Sequence, residues 1–355
     1  MAHARRVIWA DLLKIFAIYG VIIIHSSAPY LVQYDKRETY WWAGNLYDSF
    51  YRWCIPIFFM LSGAFILEQV QKESVRHFLL KRFKRICVPF LFWSALYFLW
   101  RVSVNKEQIS FIDILRLFIK EPAYYHLWFI YSLIGLYFLS PFIGIYLKHA
   151  TKGNIRFFLL SWFIFGSLLP TIESLFSIET YLSIATPSSI FYYTGYFILG
   201  YLLKSIHVKS RWLIFLVLLF IAAFVLTVYG TYYLTVKVRD GLFNEVLYEY
   251  YSVNVLIMSI PIFLIIKSIR WPDALIECKI VNFLFHSLAL CIPGIYLVHA
   301  IVISVFKGHL LQFKTIDTVF NPWIGIPLFA AIVLIVSFSI VYAIKQVPGL
   351  KSLVP

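Results

Sequence analysis

Hydrophobic positions in this chain come in long unbroken blocks, with polar residues gathered between them. The blocks run roughly over 7–30, 51–70, 87–104, 125–147, 155–172, 187–206, 211–233, 250–268, 282–306 and 322–345. Each has the length a helix needs to cross the hydrocarbon core of a bilayer. The pattern predicts an all-α, polytopic membrane protein of about ten spans, with residues 1–355 forming one transmembrane unit. One segment breaks the pattern. ISFIDILRLFIKEP, after the third block, is amphipathic and too charged to cross, so it is expected to lie as a helix on the outer surface.

The first block, IWADLLKIFAIYGVIIIHSSAPY (Ile8–Tyr30), holds three ionisable residues: Asp11, Lys14 and His25. Such groups are costly inside a spanning helix and mark function by default. With about 100° and about 1.5 Å per residue, Asp11 and Lys14 share a face. Eleven steps bring His25 back to within about 20° of Lys14, roughly 16 Å further along the axis. A polar seam therefore runs up this helix, with a charged pair below and an imidazole above.

Lysine and arginine set the orientation. With Arg5 and Arg6 inside, the inner segments hold the dense run Lys81, Arg82, Lys84 and Arg85, then Lys148, Lys152, Arg156, Lys204, Lys209, Arg211, Lys267, Arg270, Lys279, Lys345 and Lys351. The outer segments hold fewer, among them Lys36, Arg37 and Lys314. Both termini are expected in the cytoplasm, which an even number of spans allows. In this frame Lys14 sits in the inner half of the membrane and His25 in the outer half. His126 at the start of the fourth block, His299 late in the ninth and Arg52 at the start of the second reach the depth of His25, so the four are expected to converge.

Composition supports the class and removes others. The 355 residues are 61% hydrophobic and 14% charged, and the mean hydropathy is +0.82. The formal charge of +14 belongs with inner-loop lysine and arginine, not with a nucleic-acid-binding face, because no soluble domain is there to carry one. The first block is too long and too polar for a cleavable signal peptide. Cys54, Cys87, Cys278 and Cys291 lack CxxC spacing and read as packing residues. No metal site, P-loop, GxSxG, HExxH or GxGxxG motif is present.

Each candidate has a structural alternative. Asp11 and Lys14 could be an ion pair near the interface, with the lysine snorkelling. Arg52 could be an interfacial anchor. The run HFLLKRFKRICVPF (77–90) could hold anionic lipid, or cradle phosphate with Arg82 and Arg85, three apart on one helical face. The tyrosines and tryptophans of segments 31–50 and 229–251 could form an aromatic belt or stack on a sugar.

Six segments, in order, resemble the acyltransferase-3 family of integral-membrane acyltransferases over nearly the whole chain. They are DLLK with a histidine eleven residues on (Asp11, Lys14, His25), PIFFMLSGAFI (56–66), KRFKRICVPFLFWS (81–94), YYHLWFIYSLIGLYFLSPFI (124–143), YYTGYFILGYLL (192–203) and GIYLVHA (294–300). The likeness is strongest to stand-alone enzymes that O-acetylate surface polysaccharides, of the enterobacterial common antigen O-acetyltransferase type. It implies an acyl-CoA donor, acetyl-CoA by default and used as a co-substrate rather than a tightly bound cofactor. It implies a cell-surface polysaccharide or lipid-linked glycan as acceptor, a bacterial cytoplasmic membrane and an essential histidine at His25. Many members have arginine where Lys14 stands. Lysine keeps the charge but loses the bidentate fork. The resulting expectation makes His25, His126 and His299 catalytic. Asp11, Lys14, Arg82 and Arg85 would bind the donor, and Arg52, Trp128 and Tyr296 the acceptor. An exporter or flippase for a polysaccharide or lipid-linked sugar is the alternative.

Overall fold

The computed structural model describes residues 7–32, 34, 38–178, 180, 188–269, 278–309 and 320–355. Arg5, Arg6, Lys36, Arg37, Arg270 and Lys314, on which the orientation partly draws, lie outside them. The protein is an all-α, polytopic membrane protein. Among the described residues, nine helical stretches are long and apolar enough to cross a membrane. The tenth expected span is a helix at Ser188–Ser205. It has the length, but Tyr192, Tyr193, Tyr196, Tyr201 and Lys204 keep its hydropathy lower.

The helices in chain order are α1 (Ile8–Ser27), α2 (Glu38–Tyr51), α3 (Cys54–Val70), α4 (Val75–Arg82), α5 (Val88–Ser103), α6 (Phe111–Lys120), α7 (Trp128–His149), α8 (Lys152–Phe163), α9 (Leu169–Phe176), α10 (Ser188–Ser205), α11 (Ser210–Tyr233), α12 (Val253–Ser268), α13 (Lys279–Ser304) and α14 (Pro322–Gln346). Local chemistry sets several starts. Ser74, Ser110 and Thr151 accept hydrogen bonds from the backbone N–H three residues on, and Asn321 caps α14 just before Pro322. At α6 the Ser110 hydroxyl also donates to the Asp113 carboxylate at 2.6 Å, and that bond holds the carboxyl below its ordinary pKa.

Proline explains two further features. Pro56 has no N–H to give the carbonyl of Arg52, and the α2–α3 helix breaks at Arg52–Trp53. Pro327 likewise leaves the Trp323 carbonyl without its helical partner, and the Tyr47 hydroxyl donates to that oxygen at 2.7 Å. The proline thus becomes a tie between α2 and α14.

α1 packs against α2, α3, α13 and α14, with Leu13, Ile18 and Ile22 fully buried. α11 lies at the edge and turns Ile214, Leu218, Ile221 and Leu226 outward, as a lipid-facing helix should.

Segment 31–50 corrects an expectation. It reads as an aromatic outer loop, but residues 38–51 form α2. Asn45, Asp48 and Ser49, at helical spacing, are fully buried. Polar residues on the inner face give the segment the composition of a loop and the geometry of a core helix.

The tightest helix contact joins α3 to α10. A Cβ at Gly63 would run into the Phe197 carbonyl, and one at Gly200 into the Met60 carbonyl. Glycine lets these two backbones touch, the usual device for close packing within membranes. Backbone cannot step aside as a flexible side chain can. Gly63→Ala and Gly200→Ala should each destabilise by about 1–3 kcal/mol, read as a lower thermal midpoint in detergent. An unchanged midpoint in both would mean that this seam opens freely.

Candidate active site

Among the described residues, two cavities concern the expected site. The inner one, about 380 Å³, is lined at one end by Lys14, Gln69, Arg82 and Arg85 and at the other by Phe58, Phe129, Ile130 and Tyr296. The outer one, about 300 Å³, is lined by Ile24, His25, Arg52, Trp128, Tyr193, Glu245, Tyr248, Glu249 and Tyr250. The adjacent residues Trp128 and Phe129 at the start of α7 line different cavities. The partition between the cavities therefore passes through this point of the chain.

The basic end is built by a helix irregularity. Between α4 and α5 the chain makes a π turn at Phe83–Cys87, which adds a residue to the turn and shifts the helical phase. Arg82 and Arg85 both reach the inner cavity. Arg82 is held there by a hydrogen bond to Gln69 and lies over the Phe78 and Tyr137 rings at 5.4 and 5.8 Å. Lys14 pairs with Asp11 at 3.2 Å. Of the expected donor residues, Lys14, Arg82 and Arg85 line the cavity, and Asp11 stands behind Lys14.

The three histidines meet at the partition. His25 stacks on His299 with ring centroids 5.5 Å apart, and His126 lies edge-on to His299 at 5.0 Å. His25 is half-buried, whereas His126 and His299 are 1% and 0% exposed. The Nδ1 of His299 lies 3.2 Å from the Ile295 carbonyl. A carbonyl only accepts, so Nδ1 carries the proton and Nε2 keeps a lone pair. That Nε2 and both ring nitrogens of His126 are buried without a hydrogen-bond partner. Buried polar atoms are seldom left so. His126 itself lines neither cavity. It is wedged among Tyr97, Tyr125, Tyr296 and His299, with centroids 5.0–5.6 Å away. The Tyr296 hydroxyl donates to the His126 carbonyl. Tyr296, expected on the acceptor side, lines the inner cavity instead: it shares a face of α13 with His299, three residues on, but sits about one helical turn away along the axis.

Arg52 is not a free interfacial anchor. Asp48, one turn earlier and fully buried, pairs with it. Ser27 donates to Asp48 at 3.2 Å, and Arg52 donates to the Tyr248 carbonyl at 3.1 Å while resting over the Tyr248 ring at 4.2 Å. The Tyr248 hydroxyl in turn bonds Asn45 and Ser49. Lys307 donates to the His25 carbonyl at 3.3 Å, where a cation favours the end of α1.

Sequence reasoning missed Asp48, although its i,i+4 spacing to Arg52 is visible in DSFYR. It also missed Glu245 and Glu249, which sit in the irregular stretch between α11 and α12. Nothing local to that stretch signals a site except its tyrosines. The four cysteines are free, and Cys54 and Cys291 are buried as packing residues. Among the described residues, no three His, Cys, Asp or Glu side chains are placed to hold a metal ion together.

Comparison with known proteins bears on what this arrangement is. The chain is similar to an amino-acid racemase of Enterococcus faecalis, 24% identical over 333 residues that cover 85% of this chain. It spans 43% of that relative's length. No solved structure matches. A family model described as an acyltransferase domain matches residues 7–342, which include all six motif segments, both cavities' helices and the three histidines. The chain therefore belongs to the acyltransferase-3 family.

Proposed function

We propose that the protein is an O-acyltransferase that takes an acetyl group from cytoplasmic acetyl-CoA and places it on a hydroxyl of a cell-surface glycan or lipid-linked sugar. The membrane is read as a bacterial cytoplasmic membrane, with both termini inside. One observation carries the reading: a basic-ended cavity and a second, aromatic cavity approach each other at a cluster of three histidines. Two substrates from opposite sides of a bilayer need that arrangement. CoA phosphates cannot enter hydrocarbon cheaply, but the thin pantetheine arm can occupy a cavity whose walls are mainly apolar.

Arg82 and Arg85 hold the nucleotide phosphates at the inner mouth. Lys14, steadied by Asp11, meets the arm part-way. The thioester then lies against Phe129 and Tyr296. The acceptor hydroxyl enters from the outer cavity beside His25 and Arg52. His25 takes the hydroxyl proton as general base, through the lone pair of its neutral imidazole. The hydroxyl oxygen forms the new C–O bond. The C–S bond breaks, and the departing thiolate receives the proton from the imidazolium. His126 supplies an N–H to the tetrahedral oxyanion, and the His299 Nε2 lone pair orients the groups around it. Trp128 holds the sugar face. Family membership favours transfer over export, and neither substrate needs to pass completely through the bundle.

The test is transfer of label from radiolabelled acetyl-CoA, supplied to the cytoplasmic face of membranes, into glycan or lipid-linked material. His25→Ala at matched expression should lose about 10²- to 10⁴-fold of the rate. Equal transfer in both would move the base elsewhere in the cluster. Arg82→Ala should raise the KM for acetyl-CoA about tenfold with kcat nearly kept, the mark of an interaction equal in ground and transition states. Unchanged KM would remove Arg82 from donor binding.

A further inference from the structure

The outer cavity carries a charge that the transfer chemistry does not use. Its arginine is already answered: Asp48 pairs with Arg52 from behind, and the Tyr248 carbonyl takes another of its N–H groups. Two further wall residues, Glu245 and Glu249, are acidic. Among the described residues, neither carboxylate forms a salt bridge with any lysine, arginine or histidine. The cavity therefore presents two carboxylates and, on balance, negative charge. Two like charges on one partly desolvated wall raise each other's energy unless a cation sits between them or near them.

The rest of the wall fits a cation that is also a sugar. Trp128 stacks on Tyr250 with ring centroids 5.6 Å apart and planes 25° apart, and Tyr193 flanks Trp128 at 5.6 Å. Such ring faces attract both ammonium groups and the C–H faces of pyranose rings. Arg52 and His25 line the same cavity, so a ligand hydroxyl placed between them can pair with the guanidinium and the imidazole.

From this lining we propose that the acceptor is an amino sugar whose amine is free and protonated: its ammonium rests against Glu245 and Glu249, its ring face lies on Trp128 and Tyr250, and its hydroxyl lies between Arg52 and His25. The proposal rests on reading the outer cavity as the acceptor site. It goes beyond that reading by excluding uronic-acid and other acidic glycans, which the same two carboxylates repel.

The test uses the purified full-length protein in detergent and does not require turnover. Binding of a glucosamine tetrasaccharide and of its fully N-acetylated counterpart is measured by titration calorimetry at slightly acidic pH. The amine form should bind at least about tenfold more tightly, as expected for a charge-assisted contact. Glu249→Gln should remove most of that preference, and Glu245→Gln, at the more exposed position, a smaller part. Retained affinity for acetyl-CoA, whose cavity contains neither glutamate, shows that the variants are folded. Equal or weaker binding of the amine form, no binding of either sugar, or a preference untouched by both substitutions overturns the proposal. CoA release is measured in parallel and separates the two readings. Amine-selective binding without any CoA release keeps the acceptor site and removes the transferase reading. CoA release with a preference for the N-acetylated sugar does the reverse.

Discussion

A guanidinium inside a membrane protein has to be answered by a counter-charge at the same depth, and much of this structure follows from how Arg52 is answered. Asp48 supplies the charge from one turn back. That single pairing requires residues 38–51 to be helical and to lie inside the bundle, because an aspartate in an outer loop could not reach. It also brings Ser27 at the end of α1, and through Tyr248 it draws the stretch before α12 over the top of the site. Replacing a buried pair by apolar residues is often harmless, whereas removing one partner is costly. Here the pair also sets a guanidinium in a cavity wall, which apolar residues could not do.

What the sequence made legible was the set of groups whose cost in a membrane cannot be hidden. His25, Lys14 and Asp11 announce themselves because they interrupt an apolar block, and α-helical geometry places them on one face without any knowledge of the fold. His126 and His299 were reachable by depth alone, given an orientation, and the structure does bring them to His25. Arg82 and Arg85 were visible as a charge run, but their joint reach into one cavity depends on a π turn that leaves no plain mark in the sequence. Tyr296 shows the limit of depth as a guide. It shares a helical face with His299, yet a single turn along α13 places it against the inner cavity. Segment 38–51 failed for the opposite reason. Its polar residues suggest solvent, and only their partners show that they are buried.

The two cavities differ in the chemistry of their walls. The inner one is apolar along its length and basic at its mouth, suited to a long neutral arm with an anionic head. The outer one is short, aromatic and edged with carboxylates. Between them stand three imidazoles, two of which, His126 and His299, keep buried nitrogens without a hydrogen-bond partner. A site whose polar atoms find no internal partner holds them ready for a substrate, and folding stability is lower for it.

The glycine contact between α3 and α10 has a kinematic consequence. Where two backbones touch, helices cannot slide or roll past one another without separating, so α3 and α10 behave as one strut. Phe58 on α3 lines the inner cavity and Tyr193 on α10 lines the outer one. Both chambers are thus bolted to the same beam, and a rocking motion that opened one by tilting this beam would displace the wall of the other. Any opening of one chamber that spares the other has to come from elements outside this pair.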